Sequence, residues 1–231
     1  MIYIYPDQMQ TEEIGMHDFI YVTKASAKPV KNELINIIHE VQDIVREEYF
    51  TFQFKLVGSS SKNMITYDRK SNIGFDLDFD LEINDDDENY TPTEIHHILK
   101  NAINRVAPKY GYKTCEELTR VLRIKKVNTY TSSIIHNCDF AIVYNCENRR
   151  QQYIRFNKKS HNCTWEFQGK GFKNFDEKFN WLKNSEYWNE FLQYYIDKKN
   201  SNNNPDKHSR PILAESVNEM YQKYKPTDTM P

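Results

Sequence analysis

The chain alternates strictly between apolar and acidic residues in one central stretch, residues 75–83. The alternating residues there are Asp76, Leu77, Asp78, Phe79, Asp80, Leu81 and Glu82. Because successive side chains of a β-strand point to opposite faces, the pattern predicts a strand that carries all four acids on one face. Like charges on one face destabilise a strand unless a cation lies close to them. Since divalent cations prefer oxygen ligands, this strand is a candidate metal site.

Apolar residues on both sides of this strand recur at helical or strand spacing. The helical pattern covers residues 31–49, 91–107, 174–200 (with a break near 184–185) and 209–224. Shorter apolar runs predict strands at residues 50–57, 119–127, 133–144, 152–157 and 164–168. This order predicts an α+β fold, with a mixed β-sheet core flanked by helices and a helical C-terminal part. We place the core at residues 1–160, with residues 1–30 as an N-terminal extension, and the mainly helical C-terminal part at residues 161–231.

Composition changes this picture little but argues against some classes of protein. The chain has 231 residues, 31 basic and 33 acidic, for a net charge of −2. Such a balance does not indicate a nucleic-acid coat protein or a protein that binds anionic membranes.

The cysteines form no CxxC pair and so no zinc motif. We predict that His96 and His97 are ordinary helix residues rather than ligands. With no signal peptide and no long apolar run, we expect a cytoplasmic protein without a membrane partner.

A Gly-Ser turn directly follows the predicted strand at residues 50–57. Glycine at the end of a strand lets the backbone turn sharply and approach a ligand closely. If a helix begins at Gly58 and Ser59, free backbone N–H groups and the Ser59 hydroxyl would face an anion. Lys62 would add a positive charge suited to a polyphosphate. An ordinary turn is the alternative interpretation of all three residues.

The acidic strand and Asp139 supply candidate metal ligands. Two carboxylates at positions i and i+2 of a strand have Cα atoms roughly 7 Å apart, a separation suited to two Mg²⁺ ions about 3.5–4 Å apart. The alternative is an edge strand with one solvated acidic face. Asp139 lies in a strand that is otherwise apolar, so its carboxylate must be paired, bound to a ligand or placed at an exposed strand end.

The segments LVGSS, FDLDFDLEI and HNCDFAIV together resemble the DNA polymerase β-like nucleotidyltransferase superfamily. The shared pattern is a strand ending in Gly-Ser, an Asp-x-Asp strand and a later strand with a single Asp, and it covers about residues 50–144. The long insert between Gly58 and the acids, the separate strand of Asp139 and the helical C-terminal part look more like the oligoadenylate synthase and bacterial cyclic-oligonucleotide synthase branch.

The resemblance implies an enzyme that transfers NMP from an NTP to a hydroxyl acceptor and releases pyrophosphate. It implies that Asp76 and Asp78 hold two Mg²⁺ ions, with Mn²⁺ as a substitute, and that Asp139 is a further ligand and a candidate base. Gly58, Ser59 and Lys62 would contact the triphosphate. The acceptor would be a nucleotide, a small molecule, an RNA or a protein, and a linear or cyclic oligonucleotide is one product that the branch implies.

Three alternatives stay open at this point. The pair Asp78/Asp80 fits the spacing as well as Asp76/Asp78, which we prefer because the first Asp of the family pair stands at the start of its strand. The chain could also be a catalytically inactive nucleotidyltransferase-like module that binds nucleotides or forms half of a toxin–antitoxin pair. The third alternative is a structural domain with an acidic strand.

Overall fold

The computed structural model describes residues 17–147, 150–169 and 171–225. The chain divides into two compact units, one at Phe19–Lys173 and the other containing the helices from residue 174 onward. Most of the predicted N-terminal extension, residues 1–16, lies outside the described residues. In those that are described, no helix combines the length and the apolar character needed to cross a membrane.

The first unit contains two β-sheets and the helices that accompany them. Its strands are β1 (Phe19–Tyr21), β2 (Thr51–Val57), β3 (Thr66–Asp68), β4 (Phe75–Asn84), β5 (Glu116–Glu117), β6 (Leu122–Asn128), β7 (Ser133–Asn145), β8 (Gln151–Asn157) and β9 (Asn162–Phe167). Its helices are α1 (Lys24–Glu48), α2 (Gly58–Ser61) and α3 (Pro92–Val106), followed by a 3₁₀ turn at Ala107–Tyr110. The main sheet has the order β2-β4-β7-β6-β5, and β8 and β9 continue from the end of β7. Strands β1 and β3 form a separate pair.

The acidic strand β4 lies inside the main sheet rather than at its edge. It pairs antiparallel with β2 and parallel with β7, which makes the sheet mixed, as the sequence predicts. The apolar side chains of β4, Leu77, Phe79 and Leu81, are each 1% exposed and join the core formed with α1 and α3. Burial of each such side chain contributes about 1.5–3 kcal/mol. The core therefore holds one face of β4, and the acids project from the opposite face.

Helix boundaries agree with the sequence pattern at α3 but not at α1. Thr91 and Glu94 form a reciprocal cap at the start of α3, with Pro92 in its first turn. Helix α1 was expected to begin after Pro29, but it begins at Lys24, where the Thr23 hydroxyl accepts a hydrogen bond from the Ser26 N–H. Pro29 lies inside this helix, five residues after Lys24, and lacks the N–H that would otherwise donate to the Ala25 carbonyl. The expectation took Pro29 as the helix boundary, whereas the cap that marks the start of the helix is Thr23, six residues earlier.

The second unit consists of three helices, which the sequence also predicts. They are α4 (Phe175–Lys183), α5 (Trp188–Asn200) and α6 (Ser209–Tyr224). Aromatic side chains supply much of the packing inside this unit: the Phe179 ring contacts Trp188 and Phe191 edge-on. The break between α4 and α5 falls at the predicted Asn184 and Ser185.

Candidate active site

Strands β4 and β7 bring the predicted aspartates onto one face of the sheet. Their parallel register places Asp78 beside Asp139 and Asp76 beside Asn137. Paired residues on neighbouring strands point to the same face, so all three aspartates lie on the side of the sheet opposite the core. The Asn137 side-chain amide donates to Asp76 Oδ1 at 2.7 Å and to the Ile73 carbonyl at 3.1 Å. Asp76 is therefore held by a buried amide that sequence reasoning did not single out.

Asp78 is repelled by both of the other aspartates in this group. Burial, followed by repulsion from Asp139 and Asp76, raises the pKa of Asp78 to about 7, although the nearby Arg123 partly offsets this. Such a raised pKa means that the ionised form of Asp78 is destabilised at this position. A cation beside it would stabilise that form. The donor set, two neighbouring carboxylates on β4, thus fits a hard divalent cation.

Asp80 has a different set of neighbours. Burial raises its pKa to about 6, the next largest effect is repulsion from Glu82, and Lys55 opposes both. Lys55 is also its partner in the β2–β4 register. The main repulsion on Asp80 therefore comes from Glu82, whereas Asp78 is repelled most by Asp139 and Asp76 and least by Asp80. These charges favour Asp76/Asp78 over Asp78/Asp80 as the metal-binding pair, and that choice remains a prediction.

Arg123 forms the closest contact to Asp139. Its Nε and one terminal nitrogen each donate to a different Asp139 oxygen at 2.6 Å, and the Asp139 side chain is only 13% exposed. Strand β6 places Arg123 directly opposite Asp139. Both Asp139 oxygens are therefore engaged by Arg123. Among the described residues, Asp76, Asp78 and Asp139 do not form a set whose ligand oxygens all lie within 4.8 Å of one another. The sequence analysis missed Arg123, which lies in a strand with several basic residues.

The Gly-Ser turn lies directly against Asp78. Val57, the last residue of β2, pairs with Asp78, and the next residue, Gly58, has a φ of +65°. A Cβ atom at Gly58 would come closer than 3.0 Å to Asp78 Oδ2, so only glycine fits here without displacing the carboxylate. The predicted phosphate-contacting segment and the predicted metal ligands therefore occupy one place in the fold.

Helix α2 consists of a single turn, and the candidates Ser59 and Lys62 lie within it and at its end. The Ser59 carbonyl accepts hydrogen bonds from the backbone N–H groups of Lys62 at 3.2 Å and Met64 at 2.9 Å. Its neighbour Ser60 is 6% exposed, and the Ser60 hydroxyl has no hydrogen-bond partner in the described part of the chain. The backbone of this turn is therefore well fixed beside Asp78. The phosphate contacts of Ser59 and Lys62 remain predictions.

Comparison with known proteins gives a fold but no sequence family. No protein-family profile matches the chain, and no curated protein does. Among solved structures, the chain is similar to the Vibrio cholerae cyclic AMP-GMP synthase DncV in complex with nonhydrolyzable GTP, with 16% identity, a TM-score of 0.53, and coverage of 86% of this chain and 53% of that one. A second structure of the same synthase, described as a prokaryotic cGAS homolog, has 13% identity, a TM-score of 0.50, and coverage of 90% and 70%.

A third similar structure is Escherichia coli DncV bound to 3'-deoxy GTP, with 14% identity, a TM-score of 0.50, and coverage of 90% of this chain and 55% of that one. The chain therefore has the nucleotidyltransferase fold, which confirms the resemblance predicted from the sequence at the level of the fold. Within that class, the similar structures are bacterial cyclic-nucleotide synthases, the branch that the sequence pattern indicated. The chain spans between 53% and 70% of the length of these structures.

Proposed function

We propose that this chain is a divalent-metal-dependent nucleotidyltransferase that transfers NMP from an NTP to a hydroxyl group and releases pyrophosphate. The observation that carries the proposal is the group of Asp76, Asp78 and Asp139 on two adjacent parallel strands, with Gly58 lying against Asp78. The fold supports the proposal, because two similar structures contain a GTP analogue. Their sequences are 14% and 16% identical to this chain. The proposed metal-dependent reaction rests on these three carboxylates rather than on the fold.

In this mechanism, Asp76 and Asp78 would hold the ions, and Mg²⁺ or Mn²⁺ would supply charge neutralisation at the attacking and leaving oxygens. Asn137 orients the Asp76 carboxylate by its 2.7 Å hydrogen bond. The Gly58-Ser59 turn and Lys62 would position the triphosphate next to those carboxylates. Asp139 would serve as a further ligand and as a base for the acceptor hydroxyl once Arg123 releases one of the Asp139 oxygens.

We propose a nucleotide hydroxyl as the acceptor, which would make the product a linear or cyclic oligonucleotide. The support is that one of the similar structures is a cyclic AMP-GMP synthase. Small molecules, RNA and proteins are the other acceptor classes to compare. Because the chain spans only part of those structures, the acceptor is best identified by assay with a broad panel.

The test is pyrophosphate release by the purified chain with each labelled NTP, with Mg²⁺ or Mn²⁺ and with EDTA as the control. We expect release that depends on the metal and that is confined to one or two of the four bases. A melting temperature raised by NTP and Mg²⁺ without any release would instead identify an inactive nucleotide-binding module. If neither pyrophosphate release nor the melting temperature responds to NTP and metal, the chain is a structural domain with an acidic strand.

One observation favours the inactive module as the second candidate function. The guanidinium of Arg123 occupies both oxygens of Asp139 and already neutralises part of the acidic group. The guanidinium of Arg123, which is partly exposed, places a positive charge at the acidic group as a metal ion would in an active enzyme. The two candidates therefore differ in whether Arg123 releases Asp139 when the nucleotide and metal bind.

Arg123→Gln tests whether a metal ion can reach Asp139 once its guanidinium partner is removed. Without metal, we expect the variant to lose roughly 3–5 kcal/mol of unfolding free energy, because Asp139 is left as an unpaired and largely buried carboxylate. With Mg²⁺, we expect a larger rise in melting temperature than in the wild type, since the ion replaces the lost cation. The readout is thermal unfolding with EDTA and with Mg²⁺.

Arg155→Gln is the matched control for this variant. Arg155 forms an ion pair with Glu166 at 3.0 Å, but the two side chains are 53% and 36% exposed. Exposed pairs contribute little, so this variant should be nearly as stable as the wild type and should respond to Mg²⁺ in the same way. An Arg123→Gln variant with the wild-type response to Mg²⁺ would show that no ion reaches Asp139.

A further inference from the structure

We propose that His96, His97 and Glu117 form a binding site for a transition-metal ion of the zinc type. One ligand atom from each of these side chains lies within 4.8 Å of the others. The two histidines are consecutive on α3, and Glu117 comes from β5, a short strand at the edge of the main sheet. The sequence pattern alone indicated ordinary helix residues, because it does not show that Glu117 lies beside them.

His96 does not have the surroundings of an ordinary core histidine. Its residue is 2% exposed, and neither ring nitrogen has a hydrogen-bond partner within the described ranges. Buried polar groups are normally paired, because an unpaired one loses its hydration without compensation.

The spacing between His96 and Glu117 fits a shared ion better than a hydrogen bond. His96 Nδ1 lies 3.6 Å from Glu117 Oε1, which is too long for a hydrogen bond. Two ligands bound tetrahedrally to one zinc ion, with bonds of about 2.0–2.2 Å, lie roughly 3.3–3.5 Å apart. The observed separation is close to that value, so a small side-chain adjustment would complete the contact.

The surrounding residues hold two of the three ligands in place. Lys100 donates to the other Glu117 oxygen at 2.6 Å, which leaves Oε1 turned toward His96. The His96 ring stacks on Phe156, with ring centroids 5.0 Å apart and an angle of 9° between the planes. The Lys100 hydrogen bond is an outer contact of the kind that orients a ligating carboxylate, and the ring stack restricts how far the His96 ring can turn. His97 is exposed, so its ring can rotate toward the ion, and solvent can supply a fourth ligand.

This site is distinct from the aspartate group in both chemistry and position. Two imidazoles and one carboxylate favour zinc, cobalt or nickel, whereas Mg²⁺ prefers oxygen ligands alone. Helix α3 packs on the apolar face of β4 through Leu99 and its neighbours, and the aspartates project from the opposite face. An ion at His96 would tie α3 to the edge strand β5 and would play no part in phosphate chemistry.

The test is titration of the metal-depleted full chain with Zn²⁺ by calorimetry, with Mg²⁺ in excess so that carboxylate sites are occupied. We expect one equivalent of Zn²⁺ to bind, and His97→Ala and Glu117→Gln each to weaken the affinity at least tenfold. His97 is exposed, so its variant should fold normally even where His96→Ala does not. His39→Ala, an exposed histidine on α1, is the control and should bind as the wild type does.

Co²⁺ absorption identifies the ligands independently. Nitrogen and oxygen ligands should give weak visible bands and no thiolate charge-transfer band, because Cys115 and Cys163 are not part of the set. A thiolate band would overturn the assignment, and so would unchanged Zn²⁺ affinity in both His97→Ala and Glu117→Gln. Absence of Zn²⁺ binding to the wild type would overturn it as well.

Discussion

Asp78→Asn is expected to abolish pyrophosphate release and, at the same time, to stabilise the metal-free protein at neutral pH. The amide has nearly the same size as the carboxylate but no charge, so it cannot neutralise a metal ion beside Asp76. Since loss of even an outer contact of a metal ligand reduces affinity or activity 10–100-fold, we expect loss of a direct ligand to cost at least about a hundredfold. Labelled NTP with Mg²⁺ gives the measurement.

The gain in stability follows from the pKa of Asp78. It is about 7 in the folded protein and about 3.9 in an unfolded chain. Between these values the folded state keeps a proton that the unfolded state has released, so the free energy of unfolding falls as the pH rises from about 4 to about 7. The full loss, on the order of 2–4 kcal/mol, is present above pH 7. Asparagine does not titrate, so the variant avoids it.

Urea unfolding in EDTA at several pH values tests this directly. The variant should exceed the wild type in stability at pH 8, and the two should converge near pH 4. Asp80→Asn is the matched control, because Asp80 lies on the same strand and face but interacts with Glu82 and Lys55. We expect Asp80→Asn to retain pyrophosphate release. If it abolishes release while Asp76→Asn does not, the metal-binding pair is Asp78/Asp80.

The acidic face of β4 could be predicted from sequence because side-chain alternation is a local property. Whether that strand lies at an edge or inside a sheet is not local, since it depends on partners that lie far away along the chain. β2 and β7 cover both edges of β4, and β7 begins about fifty residues after it. The same pairing decides that Asp139 lies beside Asp78, which the sequence supported only through a family resemblance.

The pairing of Arg123 with Asp139 could not be predicted from the sequence. Strand β6 carries Arg123, Lys125 and Lys126, and nothing local distinguishes the one that reaches an aspartate. The choice depends on the β6–β7 register, which is shifted by an irregularity between Lys126 and Val127. Strand β3 was missed for a related reason, since it has only three residues and forms through its pairing with β1 rather than from a periodicity of its own.

Gly58→Ala is expected to lower activity far more than stability. The methyl group would collide with the Asp78 carboxylate, whose end can rotate away, so the fold should survive while the carboxylate loses its position. The φ of +65° adds about 1–2 kcal/mol of backbone strain for a residue with a Cβ atom. We expect at least about a tenfold loss of metal-dependent pyrophosphate release, since a displacement of about 1 Å at a reacting group can cost a hundredfold.

Two glycine variants make this result interpretable. Gly169→Ala places its methyl group where no atom lies within 4 Å and should leave stability and activity unchanged. In Gly74→Ala the methyl group would meet the Ile135 carbonyl, which cannot rotate away, so we expect a large loss of stability. Gly58→Ala should therefore resemble Gly169→Ala more closely in stability, and differ from it in activity. If Gly58→Ala loses stability as Gly74→Ala does but keeps the wild-type turnover per folded molecule, Gly58 shapes the turn and does not position Asp78 for catalysis.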